Sequence, residues 1–181
     1  MIAKFCRNGI DSLMKWCCDN EMTLNISKCS VISFSRSSTP IIFPYLLDGQ
    51  PLPRSFRIKD LGVILSPNLN PQEHINCICK RAHSALYFII RNSRNMFSIN
   101  ALRILYIHLV RPLLEFSSPV WSPYLIGQIE SLENVQSRFI RLVGVLMGYD
   151  YRTVPIQNLQ LQLNLRPLLA RHEIFFLTFC S

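Results

Sequence analysis

Between Glu73 and Glu115 the chain carries no acidic residue, while Lys80, Arg81, Arg91, Arg94, Arg103 and Arg111 all fall in that interval. Lys80, Tyr87, Arg91 and Arg94 are separated by seven, four and three residues, the intervals that bring side chains to one face of an α-helix. A cationic row with one aromatic among it suits a nucleic-acid backbone. Its charges neutralise phosphates and release condensed counterions, and its ring offers a stacking surface. The plainer account of the same residues is an ordinary solvated helix face.

Other chemistries are poorly supplied. His74, His83, His108 and His172 lie in helical patterns with no nucleophile and base that spacing can pair, so nucleophilic catalysis has no candidate. The 6 glycines are isolated from one another, which leaves no glycine-rich loop to cradle a phosphate. Two-metal phosphoryl transfer needs clustered carboxylates, whereas Asp11, Asp19, Asp48, Asp60 and Asp150 are each solitary and Glu130 and Glu133 read as a solvated helix face. In HINCICKRAH, His74 and Cys77 could share a helix face, but Cys79 and His83 do not join them, and a zinc site needs three or four converging ligands. The expectation is therefore no catalytic residue, no metal ligand and no cofactor for this chain. The 7 cysteines contain no C-x-x-C pair and read as small core residues rather than a disulfide framework.

A formal net charge of +8 favours an acidic partner, with nucleic acid first and an anionic surface second. With 49% hydrophobic residues the chain has ample material for a buried core. The longest apolar stretch, ALRILYIHLVRPLLEF, is interrupted by Arg103, His108 and Arg111, so no membrane span is expected. MIAKFCRNGIDSL interleaves charge with apolar residues and lacks a signal-peptide core, which implies an intracellular setting.

The elements that would position the cationic row follow from periodicity. Ile2, Phe5, Cys6, Ile10, Leu13 and Cys17 recur at helical spacing over residues 2–18. MTLNI and CSVISFS read as short strands, Asp48-Gly49 marks a hairpin turn within YLLDGQPLP, and SFRIKDLGVIL reads as one further strand with a bulge or close approach at Gly62. NPQEHI then opens a helix, with Asn70 as cap, Pro71 at the first position and Glu73 at the third. Its apolar stripe is Ile75, Ile78, Ala82, Leu86 and Ile89. A second helix starts at Ser98, carries Leu102, Leu105, Leu109 and Val110, and is expected to kink or end at Pro112. A third sets Leu125, Ile129, Leu132, Phe139 and Leu142 on one side. The class expected is α+β, small antiparallel β elements over residues 1–69 followed by a helical bundle over 70–181.

Taken in order, the segments WCCDNEMTLNISKCSVISFSR, YLLDGQPLP, IKDLGVILSPNLNPQEHI, LYIHLVRPLLEFSSPVWSP and IESLENVQSRFIRLV carry a resemblance. They resemble the C-terminal half of reverse transcriptases of non-LTR retrotransposons, particularly the jockey-like insect type, from about residue 5 to residue 176. The resemblance implies that Leu24, Asn25 and Lys28 match the palm's D motif, whose lysine lies near the incoming nucleotide. It likewise implies that Leu61, Gly62 and Val63 match the hairpin holding the primer end, that the helices after Asn70 form a thumb gripping the template-primer duplex, and that RPLLARHEIFF is the segment after it. The family's catalytic aspartate pair, in an F/Y-A-D-D motif, belongs upstream of the first helix and is not in this sequence. The chain alone is thus expected to be an inactive fragment of an RNA-directed DNA polymerase, a palm remnant and thumb, with magnesium the cofactor of the full-length enzyme. Its expected partner is an RNA-DNA duplex or other nucleic acid bound without sequence preference, and its uncovered apolar surface would favour self-association. The competing expectation is a free-standing basic helical module that binds a protein or an anionic surface.

Overall fold

A computed structural model describes residues 2–35, 37, 42–92 and 97–180, and side chains from residue 8 to residue 178 among these. Arg94 and the side chains of Ile2, Phe5, Cys6 and Cys180 lie outside the described residues. The chain divides into two compact units, Met1–Asn70 and Pro71–Ser181. The class is α+β, as the periodicities implied.

The first unit opens with α1, Ile2–Asp19. Cys17 is buried while Leu13 and Trp16 are half-exposed, so the buried face is narrower than the apolar stripe. The helix ends by wrapping back on itself. Met22 N–H bonds to the Cys17 carbonyl at 2.9 Å and Glu21 N–H to Cys18 at 3.2 Å, with Glu21 at φ 55 where a glycine is usual. The expected strand MTLNI does not form: residues 22–25 have no regular structure, and a single 3₁₀ turn, Ile26–Lys28, begins at its last residue. Asn25 competes with extended pairing: its carbonyl accepts from Lys28 N–H at 3.0 Å and its side chain from Ser27 Oγ. CSVISFS is not a regular strand either, since only Val31 pairs, in an isolated bridge to Arg54.

Two hairpins follow. β1, Leu46–Leu47, and β2, Gln50–Pro51, pair antiparallel around Asp48-Gly49, both at positive φ as the sequence signal requires. SFRIKDLGVIL does not run on as one strand. β3, Ile58–Asp60, and β4, Val63–Leu65, form a second hairpin with Asp60 opposite Val63, and Leu61 and Gly62 are its two-residue turn at φ 44 and φ 92. Glycine at the second position permits the reversal; leucine at the first adopts a backbone that its Cβ disfavours.

The second unit is helical: α2 (Gln72–Asn92), α3 (Ile99–Leu105), a π turn (Tyr106–Val110), α4 (Arg111–Glu115), α5 (Ser118–Trp121), α6 (Ile126–Leu146), α7 (Ile156–Gln162) and α8 (Leu168–Cys180). Ile75, Ile78, Ala82, Leu86 and Ile89 on α2 are all buried and pack against α6, the π turn and α4. Ser98 caps α3 by accepting from Ala101 N–H. Of the two outcomes expected at Pro112, a kink or an end, the helix does not end there. The wider π turn before it lets Arg111 N–H reach back to the Tyr106 carbonyl, and the backbone stays helical to Glu115. That insertion also changes the buried stripe, which is Leu102, Tyr106, Val110 and Leu114, while Leu109 is 44% exposed. On α6 the buried line is Leu132, Val135, Phe139, Ile140 and Val143, and the expected Leu125 is exposed before the helix begins. Tyr106 stacks on Phe139 with centroids 4.4 Å apart, and its hydroxyl donates to Gln136 Oε1 at 3.0 Å; Gln136 Nε2 donates in turn to the Arg166 carbonyl. Gly144 lets α6 lie close to the segment entering α7, because a Cβ there would stand 2.6 Å from Val154 Cγ1.

Candidate nucleic-acid interface

Lys80, Tyr87 and Arg91 are all exposed on α2, on the side away from its buried stripe. The length of the row follows from helix rise: about 16 Å separates the Cα atoms of Lys80 and Arg91. Glu73, exposed in the first turn, lies at the acidic end of the same face.

α6 adds a residue that spacing along α2 could not reveal. Arg138 Nη1 donates to the Tyr87 hydroxyl at 2.9 Å, and its guanidinium carbon stands 5.8 Å from the Tyr87 ring centroid. The two residues are 51 positions apart, so only the packing of α6 on α2 joins them. The ring of His83 lies 6.5 Å from that of Tyr87, tilted by 36°. Burial lowers the His83 pKa below the usual imidazole value, and the nearby Arg138 charge lowers it further. His74 is shifted down by burial first and by Arg81 second. His83 therefore stays neutral at physiological pH and leaves the positive charge to Lys80, Arg91 and Arg138.

Apart from Glu73 at the start of that face, the carboxylates Glu115 and Glu133 are held elsewhere. Glu115 accepts from Arg171, which is held in its charged form by that bond, and also faces Arg111. Glu133 Oε1 accepts from Leu169 N–H at 3.0 Å, placing its charge at the start of α8, where the helix dipole favours it. Ser84, Tyr87, Ile90 and Arg91 line an open cavity of about 530 Å³ on α2.

The first unit holds the remaining candidates. Lys28 is solvent-exposed at the end of the 3₁₀ turn, Asn25 precedes that turn, and Leu24 is half-buried. In the β3–β4 hairpin Val63 is 5% exposed and anchors the strand, whereas Leu61 at the tip is 88% exposed. An exposed leucine in a left-handed backbone is disfavoured twice over, by solvent contact and by conformation. Leu69, at φ 58 and 56% exposed, shares both features. Among the described residues no group of three or more His, Cys, Asp or Glu is placed to hold a metal ion. No helix in the described residues is long and apolar enough to cross a membrane.

Over 166 residues, 90% of this chain, the sequence is 21% identical to a protein of Drosophila melanogaster described as "Probable RNA-directed DNA polymerase from transposon BS". The chain spans 18% of the length of that relative. No family model matches the chain, and no solved structure does. The chain is thus distantly related to a transposon RNA-directed DNA polymerase.

Proposed function

We propose that the chain is a C-terminal palm and thumb segment of a non-LTR, jockey-like reverse transcriptase, and that its role is to hold nucleic acid rather than to catalyse. In this reading residues 1–69 are the palm remnant and 70–181 the thumb. Lys28 lies near the incoming nucleotide and Leu61, Gly62 and Val63 touch the primer end. Lys80, Tyr87, Arg91 and Arg94 follow the phosphate backbone without reading sequence. The catalytic carboxylates and their magnesium belong to other parts of the polymerase, so primer extension by this chain alone is not expected. Exposed apolar side chains such as Leu13 and Trp16 on α1 would be covered in the longer protein and favour self-association without it.

The observation that carries the reading is the α2 face with Arg138 docked on Tyr87 from α6. Two packed helices there present cations, while Glu115 and Glu133 are held in internal bonds and Glu73 lies at one end of the face. The test is binding of the chain to an RNA-DNA duplex across a salt series. Affinity is expected to fall steeply with salt, and replacing Lys80, Arg91 and Arg138 with alanine reduces the slope of log affinity against log salt by roughly 2 to 3. Replacing Arg152 and Arg166 is the control. Equal losses in both variants would reduce the attraction to net charge alone and favour the free-standing basic module.

A further inference from the structure

The cavity beside Tyr87 has a lining that a phosphate backbone does not require. Arg91 and the Ser84 hydroxyl suit a phosphate or a polar base edge, but the Tyr87 ring and Ile90 offer flat and apolar surface. A fully paired duplex keeps its base faces stacked inside and presents sugars and phosphates, so it would leave that surface unused. An unstacked base has both a π face and apolar area to place there.

Tyr87 is also prepared as a platform. The residue is 49% exposed. Its hydroxyl accepts a hydrogen bond from Arg138 on one helix while His83 flanks it on its own. Because that oxygen is already an acceptor, its own proton remains available to donate. Little freedom is left to lose when a base arrives. Ser84 Oγ donates to the Lys80 carbonyl at 3.1 Å, which leaves its oxygen an acceptor. The hollow is open along one helix face, so a base would lie against it rather than be enclosed.

We infer that this cavity takes one unpaired nucleotide of a single-stranded segment, its base against Tyr87 and Ile90 and its phosphate on Arg91, with Arg138 as the residue that positions the ring. The inference rests on the nucleic-acid reading above and narrows it, from a paired backbone to a junction where a strand leaves its partner.

The experiment uses the full chain and an RNA-DNA duplex with a single-stranded extension that carries 2-aminopurine, compared with a fully paired duplex of equal phosphate number. The extended probe is expected to bind about tenfold tighter, with a change in 2-aminopurine fluorescence on binding. Tyr87→Ala should remove that preference and the fluorescence change without altering the salt slope. Tyr87→Phe should keep most of both. Arg91→Ala should reduce the slope by about 1. Arg138→Ala should weaken the fluorescence change and Arg138→Lys should restore part of it, at unchanged helix content by circular dichroism. Equal affinity for the two probes, or an unaltered preference in Tyr87→Ala, overturns this inference alone. Failure to bind either probe overturns the proposed function with it.

Discussion

Two glycines of one helix should respond to alanine with opposite sign. At Gly144 an added methyl would meet Val154 Cγ1 at 2.6 Å, Val154 Cγ2 at 2.9 Å and Leu159 Cδ1 at 3.1 Å, all inside ordinary van der Waals contact. Val154 and Leu159 are buried, and valine has few alternative rotamers with which to yield. Forced overpacking of this kind costs about 1–3 kcal/mol, against a gain of up to about 1 kcal/mol from removing a helical glycine. The net expectation for Gly144→Ala is a loss of about 1–2 kcal/mol. At Gly127, in the first turn of α6, a Cβ meets nothing within 4 Å, so Gly127→Ala should be neutral or stabilising by up to about 1 kcal/mol. Urea denaturation followed by far-ultraviolet circular dichroism measures both. Adding Val154→Ala to Gly144→Ala separates the contact from backbone effects, because trimming the two methyls should recover about 1 kcal/mol relative to the sum of the single changes. Equal stabilisation by both glycine replacements would refute the close approach of α6 to the 154–159 segment.

Stability should also depend on pH in a stated direction. Burial lowers the pKa of His172, against an opposing bond with the Leu114 carbonyl, and lowers those of His74 and His83, so the unfolded chain binds more protons than the folded one. The stabilising contribution is then complete above the unfolded histidine pKa of about 6.5 and is lost as pH falls below it toward the folded values. A urea midpoint that declines from pH 7 to pH 5, and declines less in His172→Gln, is expected; a flat midpoint would contradict the burial argument. In the β3–β4 turn, Leu61→Asn should raise stability by about 0.5–1 kcal/mol, since asparagine tolerates the left-handed backbone and little packing is lost at an 88% exposed side chain. On its proposed role the same change should weaken binding to a template-primer duplex. A variant that is more stable and binds equally well removes Leu61 from that interface.

What the sequence could disclose follows from how local each signal is. The α2 stripe from Ile75 to Ile89 was readable because five apolar residues repeat over four turns of one unbroken helix. Asp48-Gly49 was readable because both residues accept positive φ. Leu61-Gly62 was hidden by the same logic. Leucine argues for continued strand, and only the antiparallel pairing of residues 58–60 with 63–65 overrides it. MTLNI carries strand-favouring residues, but Asn25 and Ser27 supply hydrogen bonds within a turn, and no neighbouring strand pairs with it among the described residues. At the candidate interface, Lys80, Tyr87 and Arg91 share a helix and so share a period. Arg138 enters through tertiary packing across 51 residues, which no interval along a chain encodes. Arg94 lies outside the described residues.

The π turn at residues 106–110 amounts to a shift of phase in the helical reading of the chain. Leu102, Tyr106, Val110 and Leu114 succeed one another at a constant step of four, and all are 0% exposed. In an unbroken α-helix that step would drift by about 40° each time, carrying the last residue about 120° from the first. The wider turn takes back about one residue's rotation, near 100°, and returns the line to the core. Residues on either side of the turn thus belong to helical frames offset by one position. Removing a single residue between 106 and 110 would merge the frames into one regular helix, with Leu102 and Leu114 eleven steps apart, about 20° from a common line, and the residues beyond still facing the core. A relative built without the extra residue must therefore mark its core with alternating steps of three and four. Comparison of such chains through this helix needs a one-residue gap placed within the turn, or else it will set buried positions against exposed ones from Arg111 onward.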